Sequence, residues 1–121
     1  MTNPVRSYRD LKVWRKGIDL VKDLGTLSGT SPKHENYALA DQLRRSAVSV
    51  PSNVAEGQAR QHTKEFRQFL YAALGSAAEV DTQFVIACEL GYIRDEEATR
   101  IADPVGEIRR LTYTLISQLA D

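Results

Sequence analysis

The sequence has only one cysteine and no long apolar run, which argues against a disulfide-linked or membrane-spanning protein. Its net charge is zero, which argues against a polyanion binder driven by overall charge. Cys88 cannot form an internal disulfide, and its place in the apolar run 84–88 predicts a buried structural thiol. No segment reaches the roughly 18 apolar residues of a membrane span, and the first residues lack the apolar core of a signal peptide. We therefore expect a cytoplasmic protein without a membrane partner.

The sequence also lacks the motifs of metal-dependent and nucleophilic catalysis. Di-iron and di-manganese sites in helical proteins use Glu-x-x-His, and no glutamate here has a histidine three residues later. There is no glycine-rich phosphate loop and no serine in a nucleophile-elbow motif. His34 and His62 fall at predicted helix ends, where a solvated or capping role is expected. The sequence therefore predicts a protein that is not an enzyme and that holds neither a metal nor a cofactor.

What the sequence does contain is a step of three and four between apolar residues, which is the period of an amphipathic α-helix. Capping and stop residues predict helices over 8–27 and 36–56, a third capped by Thr63 and ended by Gly91, and a fourth opened by Asp95. A chain of 121 residues with 42% hydrophobic content supports one core. We predict an all-α fold, an antiparallel up-down-up-down four-helix bundle, with residues 1–121 as a single domain.

The third helix carries two separate seams of low polarity. The first consists of Phe66, Leu70, Ala73, Ala77, Val80, Phe84 and Ala87. The second has mostly small side chains and consists of Tyr71, Gly75, Ala78, Thr82 and Val85. Because one bundle core covers only one seam fully, the second seam predicts contact with another subunit and hence a homo-oligomer.

Two prolines fall inside predicted helices. Pro51 removes an amide donor and crowds the carbonyl of Ala47, so we expect a kink in the second helix. Pro104 follows Asp103, and this pair is equally compatible with a kink in the fourth helix and with a new helix start.

Polar residues around Pro51 form a cluster that packing alone does not explain. Its members are Ser49, Asn53, Glu56 and Gly57, together with Glu79 from the third helix. Serine and asparagine side chains can bond the backbone groups that a proline leaves unpaired, and Gly57 suits a left-handed helix end. Two interpretations stay open: a structural network, with Asn53 at the kink and Glu56 paired to an arginine such as Arg60, or a recognition site.

The run 44–57, Arg-Arg-Ser-Ala-Val-Ser-Val-Pro-Ser-Asn-Val-Ala-Glu-Gly, resembles the signature of the 23S rRNA intervening-sequence protein family. The resemblance begins at Leu11-Lys-Val-Trp14 and continues to Leu90-Gly-Tyr-Ile93. It implies a four-helix bundle that has no established catalytic activity and that assembles as a five-subunit ring. The chain is similar also to the accessory variability proteins of diversity-generating retroelements, which work with a reverse transcriptase and bind nucleic acid.

Charge is unevenly distributed along the chain. Residues 1–33 carry 7 basic and 3 acidic side chains, whereas residues 68–121 carry 4 and 9. The candidates for nucleic-acid binding are Arg9, Lys12, Arg15, Lys16, Arg44, Arg45, Arg60, Lys64 and Arg67. An ordinary solvated exterior is the alternative interpretation of these charges. The function expected is that of a non-catalytic oligomeric binding or scaffolding module, either an RNA- or DNA-associated adaptor for a nucleic-acid enzyme or a protein-only assembly module.

Overall fold

The computed structural model describes residues 7–25 and 34–119, with the side chains of all of these except 34–37. A 3-10 turn, Tyr8–Asp10, precedes four α-helices: α1 (Lys12–Gly25), α2 (His34–Ala59), α3 (Thr63–Glu89) and α4 (Asp95–Gln118). No strand occurs in these two ranges, which agrees with the helical periodicity of the sequence. The predicted end of the first helix at residue 27 and the predicted loop 28–33 lie outside the described residues.

The helices form an antiparallel bundle in which α1 and α3 each pack against both α2 and α4. Ser46 of α2 donates to Gln83 of α3 at 3.0 Å, whereas Gly57, further along α2, lies against Phe69, which is earlier in α3. Contacts that move in opposite directions along two helices define an antiparallel pair.

The remaining pairs close the bundle in the same way. Arg67 near the start of α3 reaches the backbone carbonyl of Leu119 just after α4, and Leu11 before α1 lines a pocket with Leu115 near the end of α4. One core of buried apolar side chains joins all four helices, and the first seam of α3 faces it. The predicted four-helix bundle is therefore confirmed.

The first helix begins later than predicted. Ser7 and Asp10 do form the predicted capping box, but it caps only the 3-10 turn Tyr8–Asp10. Leu11 then takes an extended conformation, with φ −87° and ψ 128°, and α1 starts at Lys12. The extended step directs the Leu11 side chain into the core, where it is buried.

Gly57 does not end the second helix, contrary to the prediction. α2 continues to Ala59, and Gln61 instead adopts the positive φ of 60°. Glycine is needed at position 57 for space, since an added Cβ would lie 2.6 Å from the Cβ of Phe69. The helix also begins two residues earlier than predicted, at His34 rather than Asn36.

The other helix ends lie close to their predicted positions. His62, and not Thr63, is the N-cap of α3, and it makes no side-chain capping bond. Gly91 has a φ of +75° after α3, and the amides of Gly91 and Tyr92 bond back to the carbonyls of Cys88 and Ala87, which is a Schellman motif. Asp95 opens α4 as predicted.

Pro104 lies inside one continuous helix, α4, so the alternative of a new helix start is excluded. None of the four described helices combines the length and the apolar character that a bilayer crossing needs.

Candidate functional site

The polar cluster around Pro51 is bonded largely to its own backbone. Ser49 donates to the carbonyl oxygen of Ser46 at 2.8 Å, and the amide nitrogen of Asn53 donates to the carbonyl oxygen of Ser49 at 2.7 Å. Both side chains are half-buried. The carbonyl that Pro51 leaves without its amide donor is that of Ala47, and neither bond reaches it. Both side chains are bonded within their own helix, so the geometry favours the structural interpretation of Asn53.

Glu56 is also paired within the chain. Its carboxylate lies 3.1 Å from the guanidinium of Arg60, and both side chains are about half exposed, at 54% and 48%. Arg60 in turn lies over the ring of Phe69, 5.3 Å from its centroid. Glu79 is not brought into this network: it is exposed on α3 and makes no hydrogen bond or ion pair with another described residue.

Close helix contacts explain two further features of the same segment. An added Cβ on Gly17 of α1 would lie 3.0 Å from the ring of Pro51, so the proline packs directly onto the α1 backbone. Gly57 makes the corresponding close approach to α3 on the other side of α2. The run 44–57 therefore makes the close contacts that pack α2 against both α1 and α3.

The nine basic candidates fall into two groups along the bundle. Arg44 and Arg45 lie about 22 Å from Arg60, since 15 residues of helix separate Arg45 from it at 1.5 Å each. The other group gathers where α1 and α3 begin and α2 ends, namely Arg9, Lys12, Arg15, Lys16, Arg60, Lys64 and Arg67. The structure does not bring all nine candidates onto one surface.

Several of these cations already have partners inside the chain. Ion pairs join Arg15 to Asp19 at 3.0 Å, Lys16 to Glu107 at 3.3 Å and Arg44 to Asp41 at 3.0 Å. Each pair is substantially exposed, and exposed pairs contribute only about 0–1 kcal/mol, so a phosphate group could replace the carboxylate at small cost.

Five of the nine basic candidates form no ion pair with another described residue, namely Arg9, Lys12, Arg45, Lys64 and Arg67. Arg9 lies over the ring of Trp14 at 5.7 Å, as Arg15 does at 5.8 Å. Arg67 is half-buried and donates to the carbonyl of Leu119 at 2.7 Å, so it closes the end of α4. Lys12, Arg45 and Lys64 are exposed, and within the described part of the chain they have no ion-pair partner.

Charge is separated along the bundle axis. The half formed by residues 7–18, 51–75 and 107–119, here called the basic half, carries nine basic and four acidic side chains, a balance of +5. The acidic half, formed by residues 19–25, 38–50 and 76–106, carries five basic and ten acidic side chains, a balance of −5. The contribution of Arg109 and Arg110 to the basic half was not predicted, because both lie in the acidic last part of the sequence and only the fold brings the end of α4 to this half.

The second seam of α3 is uncovered. We call Tyr71, Gly75, Ala78, Thr82 and Val85 the α3 stripe, and all five are exposed. Tyr71 is 55% and Val85 50% exposed, and a Cβ added at Gly75 would meet nothing within 4 Å. The stripe contains no charged residue, so it is a surface of low polarity along one side of the bundle.

A second apolar surface was not found from the sequence. It is a groove of about 360 Å³ between α1 and α2, here called the α1/α2 groove, and Trp14, Ile18, Val48, Pro51, Ser52 and Ala55 line it. Val48 is 47% exposed there. Its α1 side belongs to the same apolar pattern as the core residues of α1, and that pattern does not distinguish the covered residues from the uncovered ones.

Cys88 is half-buried at the edge of the core, whereas full burial was predicted. Burial raises the pKa of its thiol, and the carboxylates of Asp95 and Glu89 raise that pKa further. A raised pKa disfavours the thiolate, which is the reactive form of cysteine. Among the described residues, no three His, Cys, Asp or Glu side chains are grouped as a metal site.

Comparison with known proteins gives a family and a fold. The model of a family described as 23S rRNA-intervening sequence protein matches residues 9–114. No curated protein matches the sequence significantly. The structure resembles that of a protein with unknown function from the S23 ribosomal protein family of Bacteroides thetaiotaomicron VPI-5482, with a TM-score of 0.78 and 23% sequence identity over 86% of this chain and 97% of the other.

Proposed function

The chain belongs to the 23S rRNA-intervening sequence protein family, and from this membership and its surface we propose that it is a non-catalytic, homo-oligomeric binding module. The observation that carries this proposal is the α3 stripe, since five consecutive seam positions free of charge are exposed in one subunit. A soluble bundle gains by covering such a stripe, because each buried apolar Å² stabilises by about 25 cal/mol. A five-subunit ring is the stoichiometry that the family resemblance suggests.

We propose nucleic acid as the partner class, on the basis of the charge separation. The basic half carries a balance of +5 although the whole chain is neutral, and Lys12 and Lys64 are exposed there without an ion-pair partner among the described residues. Phosphate contacts are favoured by counterion release. The basic half is repeated in every subunit, so an oligomer presents many weak contacts to one strand. Arg44 and Arg45 are left out of this surface because they lie in the acidic half.

The competing function is a protein-only assembly module, which the ion pairs of Arg15, Lys16 and Arg60 favour because they reduce the free positive charge. The lack of an enzymatic activity and the cytoplasmic location both stay predictions. A reverse transcriptase as the enzyme partner is likewise a proposal that follows from resemblance alone.

The test is a salt titration of binding to fluorescent single-stranded RNA and DNA. Light scattering first measures the mass of the parent at micromolar concentration, where an oligomer is expected. A Lys12→Glu/Lys64→Glu variant should bind at least tenfold more weakly at low salt, and the log-log salt slope should become shallower by about 1.4, since two single-strand contacts count about 0.7 each.

The matched control is Arg94→Glu/Arg100→Glu, which reverses two exposed cations in the acidic half and should leave affinity unchanged. Absence of binding by the parent at low salt, or equal losses in both variants, would favour the protein-only module. A monomeric parent would overturn the oligomer proposal itself.

A further inference from the structure

We infer that copies of this chain assemble head to tail, with the α3 stripe of one subunit packed into the α1/α2 groove of the next. This inference rests on the homo-oligomer proposed above and names the two surfaces that form its interface. Three features of the surfaces support this pairing: their positions on the bundle, their levels along its axis and their charges.

The two surfaces lie on opposite sides of the bundle. The groove opens between α1 and α2. On α3, Arg67 reaches α4, and Tyr71, Ala78 and Val85 follow it at steps of four and seven, which keep one side of a helix. The stripe therefore lies on the α4 side of α3, away from Phe69 and Gln83, which face α2. Because the stripe and the groove are different surfaces of the subunit, a contact between the stripe of one copy and the groove of another is heterologous.

The surfaces also match in height when two bundles stand side by side in the same direction. Within one subunit, the antiparallel Gly57–Phe69 contact puts Tyr71 level with Ala55 and Ala78 near the level of Val48. Ala55 and Val48 are groove residues about 10 Å apart along α2, from seven residues at 1.5 Å each. Tyr71 and Ala78 of the stripe thus face the two ends of the groove, and Val85 lies about 10 Å beyond it along the bundle.

Charge supports the same pairing. Lys22 lines the groove and is exposed, and it has no ion-pair partner within the described chain. The Gly17–Pro51 contact puts Lys22 near the level of Val48, and the Gly57–Phe69 contact puts Glu79 of α3 close to the same level. Glu79 is the member of the polar cluster that has no partner among the described residues. In the assembly its carboxylate lies beside Lys22 of the next copy.

The test uses two complementary variants. Tyr71→Lys/Ala78→Lys blocks the stripe and leaves the groove intact, whereas Val48→Glu/Ser52→Glu blocks the groove and leaves the stripe intact. All four positions are exposed, so both variants should fold, which circular dichroism and thermal melting verify. Ala72→Lys, on an exposed part of α3 outside the stripe, is the matched control and should assemble like the parent.

Light scattering should show that each blocked variant alone is monomeric, with self-affinity reduced at least a hundredfold. An equimolar mixture should form a one-to-one heterodimer and nothing larger, because only one intact stripe and one intact groove can meet. An assembled parent together with one blocked variant that still self-associates, or a mixture that stays monomeric, would overturn the head-to-tail inference while leaving the oligomer intact. A monomeric parent would instead overturn the proposed function.

Exchanging the charges of Lys22 and Glu79 tests the register of the proposed interface independently. Lys22→Glu and Glu79→Lys should each weaken assembly about threefold to tenfold, since an exposed ion pair turns into repulsion. The chain carrying both changes should recover the parent affinity. Failure of the double variant to recover it would refute the proposed register.

Discussion

Gly57 gives the sharpest prediction about stability. Replacement by alanine places a Cβ 2.6 Å from the Cβ of Phe69 and 3.1 Å from its neighbour Phe66. The Phe69 Cβ is fixed to the α3 backbone and cannot rotate away, so α2 and α3 must move apart. Such overpacking costs about 1–3 kcal/mol, and the helix gains about 0.5–1 kcal/mol on replacing glycine. We expect a net loss of about 1–2 kcal/mol.

Urea unfolding measures this loss. With a slope of about 1–3 kcal/mol per molar urea, the midpoint should fall by about 0.3–2 M with an unchanged slope. Gly106→Ala is the control: its Cβ would meet nothing within 4 Å, so it should raise stability by about 0.5–1 kcal/mol. Gly57→Asn separates crowding from a left-handed helix end, because asparagine tolerates positive φ but is bulkier than alanine. If the asparagine variant is more stable than the alanine variant, or if alanine is harmless, the close-approach reasoning is refuted.

Three further predictions concern single side chains. Asn53→Ala should lower the free energy of unfolding by about 0.5–1.5 kcal/mol, because its bond to the carbonyl of Ser49 is lost. Glu56→Ala breaks an exposed ion pair and should lower it by less than about 0.5 kcal/mol. Equal losses for the two variants in thermal or urea unfolding would contradict this assignment. Arg67→Met should keep the apolar stem but lose the bond to Leu119, and hydrogen exchange should then accelerate at the last turn of α4 while exchange in mid-helix stays unchanged. Cys88 should be alkylated by iodoacetamide with a pH midpoint above that of a free thiol, since its pKa is raised; a midpoint at or below the ordinary value would refute the burial argument.

The sequence predicted the bundle because its information is local and periodic. The α3 seam, the Asp95 start and the Gly91 end each follow from spacing or capping within a few residues. Gly57 was misassigned because the same residue serves helix ends and close helix contacts, and only the position of Phe69 on another helix distinguishes them.

The candidate site was less predictable for the same reason. Local pairs such as Glu56 with Arg60 could be anticipated at a spacing of four. The pairing of Lys16 with Glu107 joins residues on α1 and α4, so it could not be anticipated from spacing in the sequence. The predicted start of α1 was wrong for another reason. Ser7 does form the predicted capping box, but Leu11 is extended and buried in the core, so α1 begins only at Lys12.

The separation of charge along the bundle means that the neutrality of the chain has little physical effect on its encounters. α3 has 27 residues and is therefore about 40 Å long, whereas electrostatic potentials decay over about 8 Å at physiological ionic strength. A molecule approaching one tip of the bundle is screened from the other tip by several decay lengths. Such a molecule therefore experiences a positive potential at one end of the bundle and a negative potential at the other. The isoelectric point near 6.7 describes neither end.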